Sequence, residues 1–254
     1  MLKLKNVSLD FRSPDHIQVL HDVNITLKPN KLYAIVGHNA CGKTTLLNTI
    51  SGVEGYTNYT GSITVENCCI DQLNRRKRAR SIFKIDQNVL DYLVPHFSVY
   101  EHLFLSNLAA TSQRGSFFVS SKNRDVKKTI ATSLNDLKID LNPYFKKLIY
   151  QLNGGHRQQV ALSCLFVRKP KVALLDEPSA SLDPENSIKF HEILYKLTPS
   201  LNAVILVVSH DIPIITKYSD YIVIMSKGEI IEVIDNEQKN ITYLDVYKKM
   251  GLVH

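Results

Sequence analysis

Cysteine is sparse in this 254-residue chain. Its four residues, Cys41, Cys68, Cys69 and Cys164, form no CxxC pair and have no histidine at metal-finger spacing. That arrangement argues against a zinc site or a disulfide framework, so the thiols read as reduced and structural. Long apolar runs are missing too. The longest, Ala203 to Val208, has six residues, against roughly 18 for a segment that crosses a bilayer, so no transmembrane helix is expected. The N-terminus, MLKLKNVSLDF, alternates like a strand and has neither an apolar signal core nor a small-residue cleavage site, which points to the cytosol. No internal repeat and no heptad run is present. Acidic residues are the scarcer charge, 24 against 31 Lys and Arg, for a net +7. The excess favours acidic partners such as nucleotides, anionic lipid or nucleic acid without choosing among them. Its densest cluster, RRKRAR at 75–80, reads as a solvated face rather than a docking patch, and no direct nucleic-acid binding is expected from it.

What is present is enough to build a core: 44% of the residues are hydrophobic, and the length suits one large α/β domain or two small ones. The first 66 residues are mainly strand-like, with LKLKNVSLDF, IQVLHDVNITL, LYAIV and GSITVE. From about 88 to 165 the apolar spacing turns to threes and fours, in VYEHLFLSNLAA and VKKTIATSLNDL, separated by a polar linker, TSQRGSFFVSSKNRD. KVALLDE and AVILVVSHD then read as short buried strands joined through the helical NSIKFHEILYKLT, the βαβ order of a parallel sheet. YIVIMSKGEIIEVI follows as a hairpin turning at Lys227 and Gly228.

GHNACGKT, residues 37–44, has the spacing GxxxxGK[ST] between a candidate strand, KLYAIV, and a candidate helix, KTTLLNTI. Glycine lets backbone amides turn onto phosphate oxygens, Lys43 supplies a point charge to the β and γ phosphates, and Thr44 offers its hydroxyl to Mg²⁺. The alternative is an ordinary Gly-containing turn. Cys41 lies in this loop near a helix N-terminus, where a thiol's pKa can fall and alkylation would block nucleotide.

VALLDEP ends a buried strand on two carboxylates that point different ways, Asp176 toward Mg²⁺ and Glu177 toward the attacking water. Taken in isolation, a DE pair is as well explained as a solvated strand end. His210 follows the strand AVILVVS and so emerges at the carboxyl edge of the sheet, where open α/β folds put their ligands and where it can meet the γ phosphate. Gln87 ends the strand SIFKID, from which its amide can reach the metal or the water. Either residue alone carries little weight.

Over about residues 2–235 this order of motifs resembles the ATP-binding subunit of ABC transporters. The phosphate loop is similar to that family's Walker A, VALLDEP to its Walker B, Gln87 to its Q-loop, SASLD (179–183) to its D-loop and His210 to its switch histidine. LNGGHRQQ, 152–159, resembles the LSGGQ signature that separates ABC ATPases from other P-loop enzymes. The resemblance implies an α/β fold: a P-loop NTPase core with a mostly parallel sheet, an N-terminal antiparallel β subdomain, and a helical insert carrying the signature. It implies one ABC ATPase domain over 1–254, with core and β subdomain in 1–87 and 166–235, a helical subdomain in 88–165 and a tail in 236–254.

For the site, the resemblance implies that Gly37, His38, Asn39, Ala40, Cys41, Gly42, Lys43, Thr44 and Thr45 bind ATP and that Phe11 stacks on adenine. It assigns Glu177, His210 and Gln87 to catalysis, and Thr44, Gln87 and Asp176 to Mg²⁺. Asn153, Gly154, Gly155, His156 and Asp183 would meet ATP in trans, across a dimer with a second ATPase subunit, identical or different. Asn153 and His156 depart from the family's usual serine and glutamine. Asn153 still caps a helix, at a cost of about 1 kcal/mol for one altered hydrogen bond, and His156 would let closure respond to pH near its unperturbed pKa, about 6.5.

Implied partners are integral membrane permease subunits, most often those of bacterial importers, with the chain held peripherally on the cytoplasmic face of the membrane. The alternatives are a soluble ABC ATPase acting on ribosomes or DNA, disfavoured by the single ATPase unit and the missing coiled coil, and a weakly hydrolysing regulatory subunit, disfavoured by the intact Glu177 and His210.

Overall fold

The computed structural model describes residues 1–12, 16–110, 124–137 and 139–252. Most of the expected polar linker, positions 111–123, lies outside the described residues. Two long strands open the chain, β1 (Leu2–Arg12) and β2 (His16–Leu27). In β1 the buried Leu2, Leu4, Val7 and Leu9 alternate with exposed residues, except that two exposed residues in a row, Lys5 and Asn6, separate Leu4 from Val7. The pairing register shifts at that point and Asn6 has φ 52°, so one bulge returns the later side chains to the same face. β3 (Lys31–Val36) leads through the phosphate loop into α1 (Lys43–Ser51). β4 (Tyr59–Val65) and the two-residue β5 (Cys68–Cys69) complete an antiparallel sheet of order β2-β1-β4-β5.

RRKRAR is more than a charge run, because it forms a short helix, α2 (Arg75–Ser81), started by Asn74, whose Oδ1 accepts a hydrogen bond from the Lys77 N–H. None of its residues is fully buried, in keeping with the expected solvated face, but Arg78 is half-buried and packs its guanidinium against Gly52. β6 (Ile82–Ile85) follows, then α3 (Val99–Ala110), α4 (Arg124–Leu137) and α5 (Gly154–Arg168), which pack on one another. α5 continues three residues past 165. β7 (Val172–Asp176), α6 (Pro184–Leu201) and β8 (Val204–Val208) form the expected βαβ unit. After α7 (Ile212–Tyr218), β9 (Tyr221–Ser226) and β10 (Glu229–Asp235) make the expected hairpin across Lys227 and Gly228, and α8 (Tyr243–Lys249) closes the described chain.

The main sheet runs β10-β9-β3-β8-β7-β6, parallel except for the antiparallel edge strand β10. Its central strands are buried on both faces, which explains their unbroken apolar sequences. Period-two alternation divides them between two cores. Ala173 and Leu175 of β7 face α3, α4, α5 and α6, whereas Val172 and Leu174 face α1 and the antiparallel sheet. A third cluster joins Ala34 and Val36 of β3 to α7 and to Val246 of α8. Because β3, β6, β7 and β8 are parallel, their carboxyl ends share one edge, and every candidate residue that follows a strand is delivered there.

Candidate functional site

The phosphate loop is shaped by its own chain. A Cβ on Gly37 would lie 2.3 Å from the Met225 carbonyl oxygen of β9 and 2.6 Å from Cys41 Sγ, so no side chain fits. Gly42, at φ 103°, has the left-handed backbone that starts α1, and a Cβ there would press on the Val19 carbonyl oxygen at 3.1 Å. Gly228, in the β9–β10 turn, donates its N–H to the Cys41 carbonyl at 2.9 Å and accepts from the His21 N–H at 3.0 Å, tying the loop to β2. Lys43 is only 6% exposed. Its ammonium donates to the Gly37 and His38 carbonyls at 2.9 and 2.8 Å, which fixes the charge inside the loop. The first turn of α1 has no acidic residue, so its positive dipole end stays uncompensated.

His38, Asn39 and Ala40 are exposed on the rim and Thr44 is exposed beside Lys43, with Thr45 half-buried. Ala40 takes φ 60°, a conformation that favours glycine. Cys41 corrects the expectation of a reactive thiol. It is 5% exposed, with its sulfur packed where a Gly37 side chain would go and 3.8 Å from Lys43 Nζ, so a bulky reagent has no open approach.

Asp176, 3% exposed, ends β7. Burial pushes its carboxyl up, while a hydrogen bond from Thr44 and the charge of Lys84 pull it back. A buried, partly compensated carboxylate beside a hydroxyl is a donor set that suits a hard divalent cation, with phosphate and water completing the coordination. Among the described residues there is no cluster of three or more His, Cys, Asp and Glu that would hold a metal ion without such help.

Glu177 draws together three strands. One carboxylate oxygen lies 2.9 Å from His210 Nε2, beyond the end of β8. The other accepts from Gln87 Nε2 at 3.3 Å, beyond the end of β6. Its backbone is left-handed at φ 46°, pinned by its N–H to the Val208 carbonyl at 3.0 Å.

The second glycine pair differs from the first. Asn153 caps α5, its Oδ1 accepting from the His156 N–H at 2.9 Å. Arg157 ties the helix to the preceding turn through the Ile149 and Tyr150 carbonyls, both at 3.1 Å. A Cβ on Gly154 would meet nothing nearer than Ser181 O at 3.8 Å, and one on Gly155 nothing nearer than Asn153 Oδ1 at 3.7 Å. Neither glycine is required by the packing of its own chain. The His156 ring rests on Tyr144, with centroids 4.3 Å apart. Asp183 caps α6, accepting from the backbone and side-chain nitrogens of Asn186, which hold its carboxyl below the usual range. Asn153, Gly155, His156, Ser181 and Asp183 share a cleft of about 640 Å³.

Residues 20–180 match the family described as ABC transporter. The chain belongs to the ABC transporter family. It is 30% identical to the tyrosine transport ATP-binding protein of Clostridioides difficile over 98% of each chain. It is 33% identical to the sn-glycerol-3-phosphate import ATP-binding protein UgpC of Bartonella bacilliformis over 91% of this chain and 62% of that one, so it spans less than two thirds of that relative. Among solved structures, cbiO1 from Clostridium perfringens, part of the ABC transporter complex cbiONQ, aligns at 26% identity over 99% of this chain and 94% of the other, with a TM-score of 0.77. A dimeric ATP-binding cassette in a post-hydrolysis state with ADP and phosphate has the same TM-score at 24% identity, covering 93% and 99% of the two chains, and supports the fold alone. The chain is thus an ABC-type ATPase and an ATP-binding subunit of α/β fold.

In this ABC ATPase the phosphate loop, Asp176, Glu177, His210 and Gln87 gather at one sheet edge. Asn153 to His156 and Asp183 form a separate face. Phe11 is half-buried and meets Tyr56 edge-to-face at 5.3 Å. Tyr56 escaped the sequence reading because nothing in its neighbourhood marks it. Met225 and Gly228 escaped it as well, since they act on the loop from nearly 190 positions away, and only the turn at Gly228 was visible. Residues of the C-terminal segment, Tyr247, Met250 and Leu252, line a cleft with His38, Asn39 and His210 that the sequence does not announce.

Proposed function

We propose that this ABC ATPase powers substrate translocation by a separate membrane permease, through ATP-driven closure of a dimer of ATPase subunits. The observation that carries this reading is the convergence of Gln87, Glu177 and His210, from three parallel strands, beside a phosphate loop whose lysine is already held in place.

Lys43 and the amides of residues 37–42 hold the β and γ phosphates, and Phe11 with Tyr56 offers an aromatic surface to adenine. Thr44 and Asp176, with Gln87 at the rim, are the groups that would hold Mg²⁺, which supplies charge neutralisation at the phosphates. Glu177 accepts the proton of the attacking water and orients it, general-base help worth about 10² to 10⁴ in rate. His210 holds that carboxylate from one side and reaches toward the γ phosphate, and Gln87 holds it from the other.

Asn153 to His156 of a second subunit, with Asp183, cover the same nucleotide. Gly154 and Gly155, which their own chain does not need, support close approach by a partner molecule. On this reading the chain divides into core and β subdomain (1–87, 166–235), a helical subdomain (88–165) whose surface couples to the permease, and a tail (236–254).

No helix of the described residues is long and apolar enough to cross a membrane, and on this reading a separate permease provides the translocation path. The relatives named for import favour uptake, with the chain on the cytoplasmic face. The test is Glu177→Gln: it is expected to bind ATP, accumulate as an ATP-bound dimer and stop hydrolysing. A variant that stays monomeric at saturating ATP and hydrolyses normally refutes the assignment. Affinity purification from membranes should recover a polytopic partner, and recovery of ribosomes instead would favour the soluble alternative.

A further inference from the structure

His191 has no part in the mechanism above, yet it lies behind the catalytic loop. It sits on the inward face of α6, 2% exposed, with Nε2 3.1 Å from Ser179 Oγ. Ser179 is two residues beyond Glu177, whose left-handed backbone must be held in place by its surroundings. On one side Glu177 is pinned by its N–H to Val208. On the other the chain makes two local turns, Ala180 N–H to the Glu177 carbonyl at 3.1 Å and Leu182 N–H to the Ser179 carbonyl at 3.0 Å, before Asp183 caps α6. Ala180 and Ser181 are exposed. Among the described residues, the bond from Ser179 to His191 is the one side-chain hydrogen bond that fastens the stretch from Pro178 to Leu182 to a helix.

Burial drives the His191 pKa down to about 4, opposed only weakly by the Asp211 carboxylate, so the imidazole is neutral under working conditions. A neutral ring has one donor and one acceptor nitrogen, and a serine hydroxyl can meet either, so the bond survives in both tautomers. Asp211 directly follows His210 and caps α7. His191 therefore holds the loop that carries Glu177 and lies close enough to feel the charge of Asp211 in the loop that carries His210.

We propose that His191 is a positioning residue for ATP hydrolysis, which through Ser179 fixes the loop that sets the direction of the Glu177 carboxylate. The inference rests on Glu177 being the general base, and the experiment separates the two ideas. For wild type, His191→Leu, His191→Gln, Ser179→Ala and the His191→Leu/Ser179→Ala pair, kcat and KM for ATP hydrolysis are measured together with the ATP dissociation constant.

Losing one half-buried hydrogen bond that aims a catalytic group predicts a kcat lower by about 5- to 20-fold in His191→Leu and in Ser179→Ala. KM and ATP affinity should stay within about twofold, since the phosphate loop is untouched. The double variant should be no slower than either single one, because both remove the same bond. His191→Gln, whose amide nitrogen reaches the position of Nε2, should recover most of the rate.

Losses that multiply in the double variant overturn the proposal, as does an unchanged kcat in Ser179→Ala. That last variant is small and near the surface, so it decides the matter even if His191→Leu fails to fold. Normal hydrolysis by Glu177→Gln would instead refute the general-base reading itself, whatever the His191 variants do.

Discussion

Two glycine pairs in this molecule, Gly37 with Gly42 and Gly154 with Gly155, each lead into a helix and answer to different constraints. The first pair is demanded from within: a Met225 carbonyl stands 2.3 Å from where a Gly37 side chain would begin, and Gly42 needs φ 103°. The second pair has free space around it, with nothing nearer than 3.7 Å. A glycine that its own fold does not require, at the start of a helix with no acidic residue in its first turn, is most simply explained by what approaches from outside. On the proposed function, the phosphate loop is one half of the site and the loop at Gly154 and Gly155 is the surface that meets its counterpart.

The largest expected effect tests the first half of this contrast. Gly37→Ala must displace β9 backbone or the loop itself, and displacements of that order cost about 10²-fold in function. ATP affinity should fall by at least about that factor, as it should in Lys43→Ala, which loses the buried charge. Unchanged ATP binding in either variant would remove the phosphate-loop assignment.

Gly154→Ala tests the other half. Alanine is a better helix former than glycine by about 1 kcal/mol and meets no close atom here, so thermal stability should hold or rise slightly and ATP binding to the single chain should not change. Hydrolysis should nevertheless drop by about tenfold or more if a partner's nucleotide packs against this spot. Normal hydrolysis by a stable Gly154→Ala would dissolve the contrast.

His191 gives an effect of another kind, on stability rather than on turnover, and it depends on pH. Its pKa is lowered from 6.5 to about 4 by burial, so between those values the unfolded chain binds a proton that the folded one refuses. Stability from this group is full above about pH 6.5, is lost as pH falls toward about 4, and levels off below. One proton sets the slope at no more than about 1.4 kcal/mol per pH unit. Denaturant unfolding of wild type and His191→Leu between pH 4 and pH 7 should diverge in slope over that window, and parallel curves would contradict the burial argument.

Smallest of all, Ala40→Gly should relieve the left-handed strain at φ 60° and raise stability by less than about 1 kcal/mol, the strain being offset in part by glycine's greater freedom when unfolded. A lowered melting temperature would show that the Ala40 methyl group contributes packing instead.

Much of the fold was legible because its determinants are local. The apolar strands of the parallel sheet, the GHNACGKT loop between a strand and a helix, and the turn at Lys227 and Gly228 each announce themselves within a dozen residues. The short helices did not. α2 is too cationic to show an apolar period, and α7 and α8 have seven residues each, barely two turns, too few to establish one. Asn153 was legible as a cap and His156 as a departure, but its tilted ring contact with Tyr144 was not, because that contact joins a helix to a turn with no shared pattern.

By itself the sequence determined which residues have the chemistry: the loop lysine, the two carboxylates ending a strand, the histidine and glutamine ending others, and a second glycine pair before a helix. Residue type and short spacing are enough for that, since each motif is one strand or helix with its adjoining turn. Tertiary structure alone decided that Gln87, Glu177 and His210 meet, that Met225 and Gly228 mould the phosphate loop, and that Ser179 is held by His191. Those contacts depend on the order in which parallel strands lie side by side and on which face of α6 turns inward, and both are settled by packing across the whole chain rather than by any stretch of it.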